Sequence, residues 1–155
     1  MKKLYASFLA IIMFLSVPAV SYASSSQQPL AHTTIEDLGN GFYGITALEI
    51  QTSNTRATRT VSKTYTIKTA SGSTVASFTL TATFRYPSGI SALCTYVSHD
   101  SSISDSQWSF NEKFSSKSGN TAQGNFTAKQ KYSGITAQTI SKSITLTCDR
   151  SGNIS

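Results

Sequence analysis

From Val61 onward apolar and polar residues alternate with a period of two, the repeat of a strand that buries one face only. The longest run places Ala76, Phe78, Leu80, Ala82, Phe84 and Tyr86 on one side and Ser77, Thr79, Thr81, Thr83 and Arg85 on the other. The same period marks Val61–Ile67, Ile90–Val97, Trp108–Phe114, Ala122–Tyr132 and Ile140–Cys148, and an earlier segment, Gly41–Ile50, shares it. Between these runs stand Asp37–Gly41, Ser71-Gly72, Pro87-Ser88-Gly89, Ser118-Gly119-Asn120 and Ser133-Gly134, all with turn chemistry. Gln51–Thr60 reads as a linker or long loop, and His99–Gln107 as a serine-rich loop. About seven short strands separated by glycine turns predict an all-β fold, an antiparallel β-sandwich of immunoglobulin-like architecture.

Several positions qualify that picture. Cys94 falls in register with Ala92 and Tyr96, and Cys148 with Ile140, Ile144 and Leu146, so both sulfurs are expected to face the core. Cys94, Trp108 and Cys148 follow the order of an immunoglobulin core, but Leu146 stands where a tyrosine corner belongs. Glu112 interrupts the apolar set Trp108, Phe110 and Phe114, and Lys142 sits between Ile140 and Ile144. Either the sheet bulges there, or the two charges meet near the rim.

The N-terminus predicts export. Lys2 and Lys3 precede an apolar stretch from Leu4 to Val17, then Pro18, then the small residues of Ser21-Tyr22-Ala23. That order is a signal peptide over residues 1–23, an N-terminal signal helix cleaved between Ala23 and Ser24. The apolar run is shorter than the roughly 20 residues that span a bilayer, so no stable membrane anchor is expected after cleavage. Residues 24–34 are polar and aperiodic, a flexible mature N-terminus, and residues 35–155 form the β-sandwich domain. Loss of Lys2 and Lys3 lowers the formal charge from +6 to +4. In an exported chain the two cysteines, Cys94 and Cys148, are expected to form one disulfide, worth about 4 kcal/mol on the chain-entropy model.

Candidate chemistry is sparse. His99-Asp100-Ser101 has the residue types of a hydrolytic triad, yet a triad is assembled from distant segments. Asp100 and Asp105 lack the spacing of a calcium loop, and His32 and His99 lack metal-ligand neighbours, so no metal or cofactor is expected. Asn125-Phe126-Thr127 matches a glycosylation sequon. Arg56, Arg59, Lys63 and Lys68 are the densest basic group and read as a solvated strand end; without interleaved aromatics they do not suggest nucleic-acid binding. Trp108, Tyr96 and Tyr132 have the chemistry of a sugar platform, but their registers assign them to the core.

Lys63-Thr64-Tyr65, Ser71-Gly72, Leu80–Tyr86, Trp108, Lys117-Ser118-Gly119-Asn120 and Leu146-Thr147-Cys148-Asp149 with Gly152 and Ser155 carry a resemblance. Over residues 35–155 the chain resembles small uncharacterised secreted β-sandwich proteins of Gram-positive bacteria. The resemblance implies export and a β-sandwich and transfers no functional residue. The expectation is therefore a secreted, extracellular, non-catalytic protein that binds a cell-envelope, glycan or protein partner. The alternative is a bacteriocin-like or membrane-active protein.

Overall fold

The computed structural model describes residues 32–51 and 57–155; within them the chain forms eight strands and no helix. The strands are β1 (His32–Gly39), β2 (Phe42–Gln51), β3 (Thr58–Thr69), β4 (Thr74–Arg85), β5 (Leu93–Ile103), β6 (Trp108–Ser118), β7 (Thr121–Tyr132) and β8 (Ile135–Thr147). The signal peptide, the Ala23–Ser24 junction, residues 24–31 and Arg56 lie outside the described residues.

Within each sheet every strand pairs antiparallel with its sequence neighbour, giving one sheet of order β1-β2-β3-β4-β5 and a second of order β6-β7-β8. The chain changes sheets once, between β5 and β6. This corrects the immunoglobulin-like order, in which Greek-key connections send strands back and forth between sheets. Tight glycine turns favour hairpin neighbours, and two meanders result. The unexpected strand is β1. Nearly all of it is exposed, so it lacks the alternation that marks the others. It is joined to β2 by Gly39-Asn40-Gly41, whose φ angles of 73, 54 and 77° suit two glycines and an asparagine.

The core lies where the sheets face each other. Phe126 of β7 is its centre, with ring centroids 5.0 Å from Phe78 of β4, 5.5 Å from Tyr65 of β3 and 5.7 Å from Phe110 of β6. Gly124 makes the close approach possible, because a Cβ there would lie 2.8 Å from the Phe78 ring. On the outer face of the large sheet the hydroxyls pair across strands: Thr60 with Thr83 (3.0 Å), Ser62 with Thr81 (2.9 Å) and Thr64 with Thr79 (2.9 Å).

Two bulges reverse expected faces. Phe84 pairs with Cys94 but Thr83 with Tyr96, so Thr95 is an extra residue. Cys94 stays inside, and Tyr96 turns out to 56% exposure. In β6, Phe110 and Glu112 oppose the consecutive Ala128 and Thr127, so Asn111 is extra. Glu112 and Phe114 then face outward, Phe114 at 52% exposure, while Lys113 takes the register of the inner face, stays exposed and donates to Ser101 Oγ at 2.9 Å. Of the two readings of Glu112, the bulge holds. Lys142 keeps its inward register and pairs with Glu36, not Glu112.

The cysteines require a correction. Cys94 and Cys148 are both buried, as their registers predict, but they are free thiols rather than a disulfide. Each Sγ donates to a carbonyl of its own segment, Cys94 to Tyr96 O (3.3 Å) and Cys148 to Asp149 O (3.5 Å). An inward register directs a sulfur to the core without bringing two sulfurs together. The two residues enter from different sheets, and their amides bond to consecutive carbonyls of the β6–β7 turn, Cys94 to Gly119 O and Cys148 to Asn120 O, without a bond between the sulfurs. Burial pushes both thiols up from the ordinary cysteine range.

Two outcomes follow. Thiol titration in denaturant should count two reactive cysteines per chain, and the folded protein should react far more slowly; a count of zero would restore the disulfide. Phe126→Ala, which empties the centre of the core, should cost about 3–5 kcal/mol in denaturant unfolding.

Candidate functional site

The inward row of β3 reads Val61, Lys63, Tyr65, Ile67, so a lysine and a tyrosine occupy core-register positions. The strands paired beyond β3 continue these rows. His32, Leu48, Lys63 and Leu80 form one, and Thr34, Thr46, Tyr65 and Phe78 the next. Among the described strands only β8, an edge strand, faces this part of the sheet. The result is a cleft of about 740 Å³ between β1–β3 and β8. Its walls include Leu48 and Ile50 on one side and Ile144 on the other, with Ile154 near its end.

A polar lock spans the cleft. Glu36 of β1 accepts from Tyr65 Oη at 2.5 Å through one carboxylate oxygen and from Lys142 Nζ at 2.8 Å through the other. Lys142 also lies over the Tyr65 ring, 5.7 Å from its centroid. Gly44 of β2 stands between the partners, and any Cβ there would overlap the Tyr65 hydroxyl. The lysine, and then the tyrosine, hold the Glu36 carboxyl below its usual value. Burial first, and Glu36 second, push the Tyr65 phenol far above its usual value. A carboxylate with both oxygens engaged and a phenol that keeps its proton are poor at proton transfer near neutral pH. The lock fixes the width of the cleft.

Lys63 differs from Lys142. Its Nζ donates to the Thr145 backbone carbonyl of β8 at 3.0 Å, and burial lowers its pKa. Among the described residues the one ion pair is Lys142–Glu36, so Lys63 makes none. Residues near the β8 terminus close the cleft: Ser155 and Thr147 exchange backbone hydrogen bonds of 3.0 and 2.9 Å along the outer edge of β8.

The other candidates are scattered. His99, Asp100 and Ser101 are on β5, not in a loop, and pair with Leu80, Thr79 and Phe78. Alternation puts Asp100 on the face opposite His99, which stacks on Phe78 and bonds Ser115 Oγ through Nδ1 at 3.0 Å. Asp105 accepts from the Gln107 amide in the β5–β6 turn, and among the described residues no three metal-ligating side chains gather. His32 lines the cleft mouth. Arg59 bonds Gly152 O and stacks on Tyr86, and Lys63 is mid-strand, so these two do not form a solvated strand end. Trp108 is buried as expected; Tyr96 and Tyr132 are exposed, on different strands. Asn125 lies on the outer face of the small sheet beside Phe114, Glu112 and Thr127, which line a shallow depression.

Sequence reading singled out Lys142 as a register breaker but missed Glu36, Tyr65 and the orientation of Lys63. The available signal was parity: Lys63 lies two residues from Val61 by way of Ser62, and two from Tyr65. Comparison with protein-family models, curated proteins and solved structures finds no match for this chain.

The lock carries an acid dependence of definite sign. Glu36 has its pKa lowered by folding from 4.5, so its stabilisation is present above that value and disappears as pH falls through the folded-state pKa. Glu36→Gln should therefore lower stability near neutral pH, by roughly 1 kcal/mol or less for so exposed a pair. Urea unfolding of both proteins from pH 7 to pH 2 should show the difference closing in acid; a constant gap would assign the effect to packing.

Proposed function

We propose that this is a secreted, non-catalytic binding protein and that the cleft between β1–β3 and β8 holds its partner, a component of the cell envelope, a glycan or a protein. The observation that carries the reading is Lys63, a half-buried cation in a partly apolar cleft that makes no ion pair among the described residues. A charge in that setting is costly unless something outside the fold compensates it. Export rests on the order Lys2-Lys3, apolar run, Ser21-Tyr22-Ala23. The mature protein from Ser24 should be retained saturably by cell-envelope material. Thr34→Trp, placed on exposed β1 where the new ring fills the cleft, should weaken retention at least about tenfold, or 1.4 kcal/mol. Unchanged retention would move the site elsewhere.

A second reading has its own observation. At the tip of the β7–β8 hairpin Tyr132 and Ile135 are 67% and 73% exposed, with Lys129 and Lys131 just before them. An aromatic and an aliphatic residue flanked by lysines suit an anionic bilayer surface. Dye leakage from anionic vesicles that Ile135→Glu abolishes would favour the membrane-active reading; saturable capture without leakage favours the cleft.

A further inference from the structure

The chemistry of the cleft narrows its ligand. Three properties coincide there: apolar side chains on both walls, a lock that already satisfies the only carboxylate side chain in the lining, and one ammonium with a neutral partner alone. We infer that the cleft takes an anionic amphiphile, a single apolar chain ending in one negative head group. The head sits on Lys63 and the tail lies against Leu48, Ile50, Ile144 and Ile154. The inference rests on the cleft being the binding site.

Other occupants fit less well. A sugar needs an accessible aromatic face, and Tyr65, the one phenyl-type ring among the lining residues, is 3% exposed. An added peptide strand needs a continuous row of backbone groups on β8. Lys63 covers the Thr145 carbonyl, and Ser155 occupies the Thr147 positions. A cationic ligand would meet the ammoniums of Lys63 and Lys142, with the Glu36 carboxylate already paired. The volume, about 740 Å³, lies in the range of small-molecule sites. An anion on Lys63 supplies the one interaction that the fold leaves out, and a chain on the walls removes apolar surface from water.

The test measures binding of dodecanoate, dodecyl phosphate and dodecanol to the secreted protein by calorimetry, each below its aggregation concentration. At least one of the two anions should bind at one site per chain, at least about tenfold more tightly than the alcohol, the margin of a charge-assisted hydrogen bond. Which anion binds better identifies the head group as carboxylate or phosphate. Shortening the chain should weaken binding roughly fourfold per methylene. Lys63→Met should bring the anion down to the level of the alcohol, and Lys63→Arg should keep the preference. Thr34→Trp should weaken all three ligands. Equal binding of anion and alcohol, an anion preference that survives Lys63→Met, or binding indifferent to Thr34→Trp would each overturn the inference. If no amphiphile binds while Thr34→Trp still abolishes envelope retention, the ligand class falls and the cleft stands. If retention also ignores Thr34→Trp, both fall. Unfolding midpoints of the variants separate loss of binding from loss of fold.

Discussion

A five-stranded sheet, at about 4.8 Å between strands, presents a face roughly 19 Å wide, whereas three strands span only about 10 Å. Much of this molecule follows from that mismatch. The small sheet covers the middle of the large one, where Phe126 meets Phe78 and Tyr65, and also the end near Phe42, whose ring lies 5.2 Å from Trp108. Among the described residues, the inner face of β1 and β2 toward His32 and Ile50 has no strand opposite it, only the edge of β8. Uncovered inner-face positions cannot all be apolar without exposing a large greasy patch. They carry threonine, glutamate and lysine instead, mixed with Leu48 and Ile50. The cleft and its polar lining have a single cause.

Most of the strands were legible because half-buried strands write their burial as alternation. The Ala76–Tyr86 run predicts β4 to within two residues, and every glycine turn expected between strands is found. The failures have physical reasons. Edge strand β1 buries almost nothing, so its sequence has no period to read, although the turn that creates it was visible in Gly39-Asn40-Gly41. A bulge adds one residue and flips everything after it, which is how Tyr96 and Phe114 came to be assigned to the wrong face. Glu112 was the one hint, since a charge in an apolar register is the trace such a flip leaves in sequence.

The site was less legible than the fold, because it depends on which positions the second sheet leaves uncovered. Parity places Lys63 inward with Val61 and Tyr65, but only the strand order shows that β8 ends coverage there. Glu36 joins Tyr65 across an intervening strand through the space left by Gly44, a relation with no sequence spacing to betray it. The cysteines teach the converse. Both registers were read correctly, yet two inward sulfurs in one core are not a bond, because pairing depends on positions that alternation does not encode.

The edge of β8 connects these threads. An exposed edge strand invites pairing with another chain, and proteins blunt such edges with lysines, charges turned inward and covering segments. All three devices occur here: Lys63 caps the Thr145 carbonyl, Lys142 points inward to Glu36, and Ser155 pairs with Thr147. Gln138 adds a fourth by donating to Leu38 O at 3.0 Å. The contacts of Lys63, Lys142 and Gln138 bridge β8 to the overhanging sheet, and with Ser155 they interrupt the row of free backbone groups that an added strand would need. The protection has a chemical consequence. Blocking the edge with an ammonium places a cation beside apolar walls, so the feature that disfavours a peptide is the one that suits an anion with a tail. Lys63 thus protects the edge, and the ligand selectivity we propose rests on that same residue.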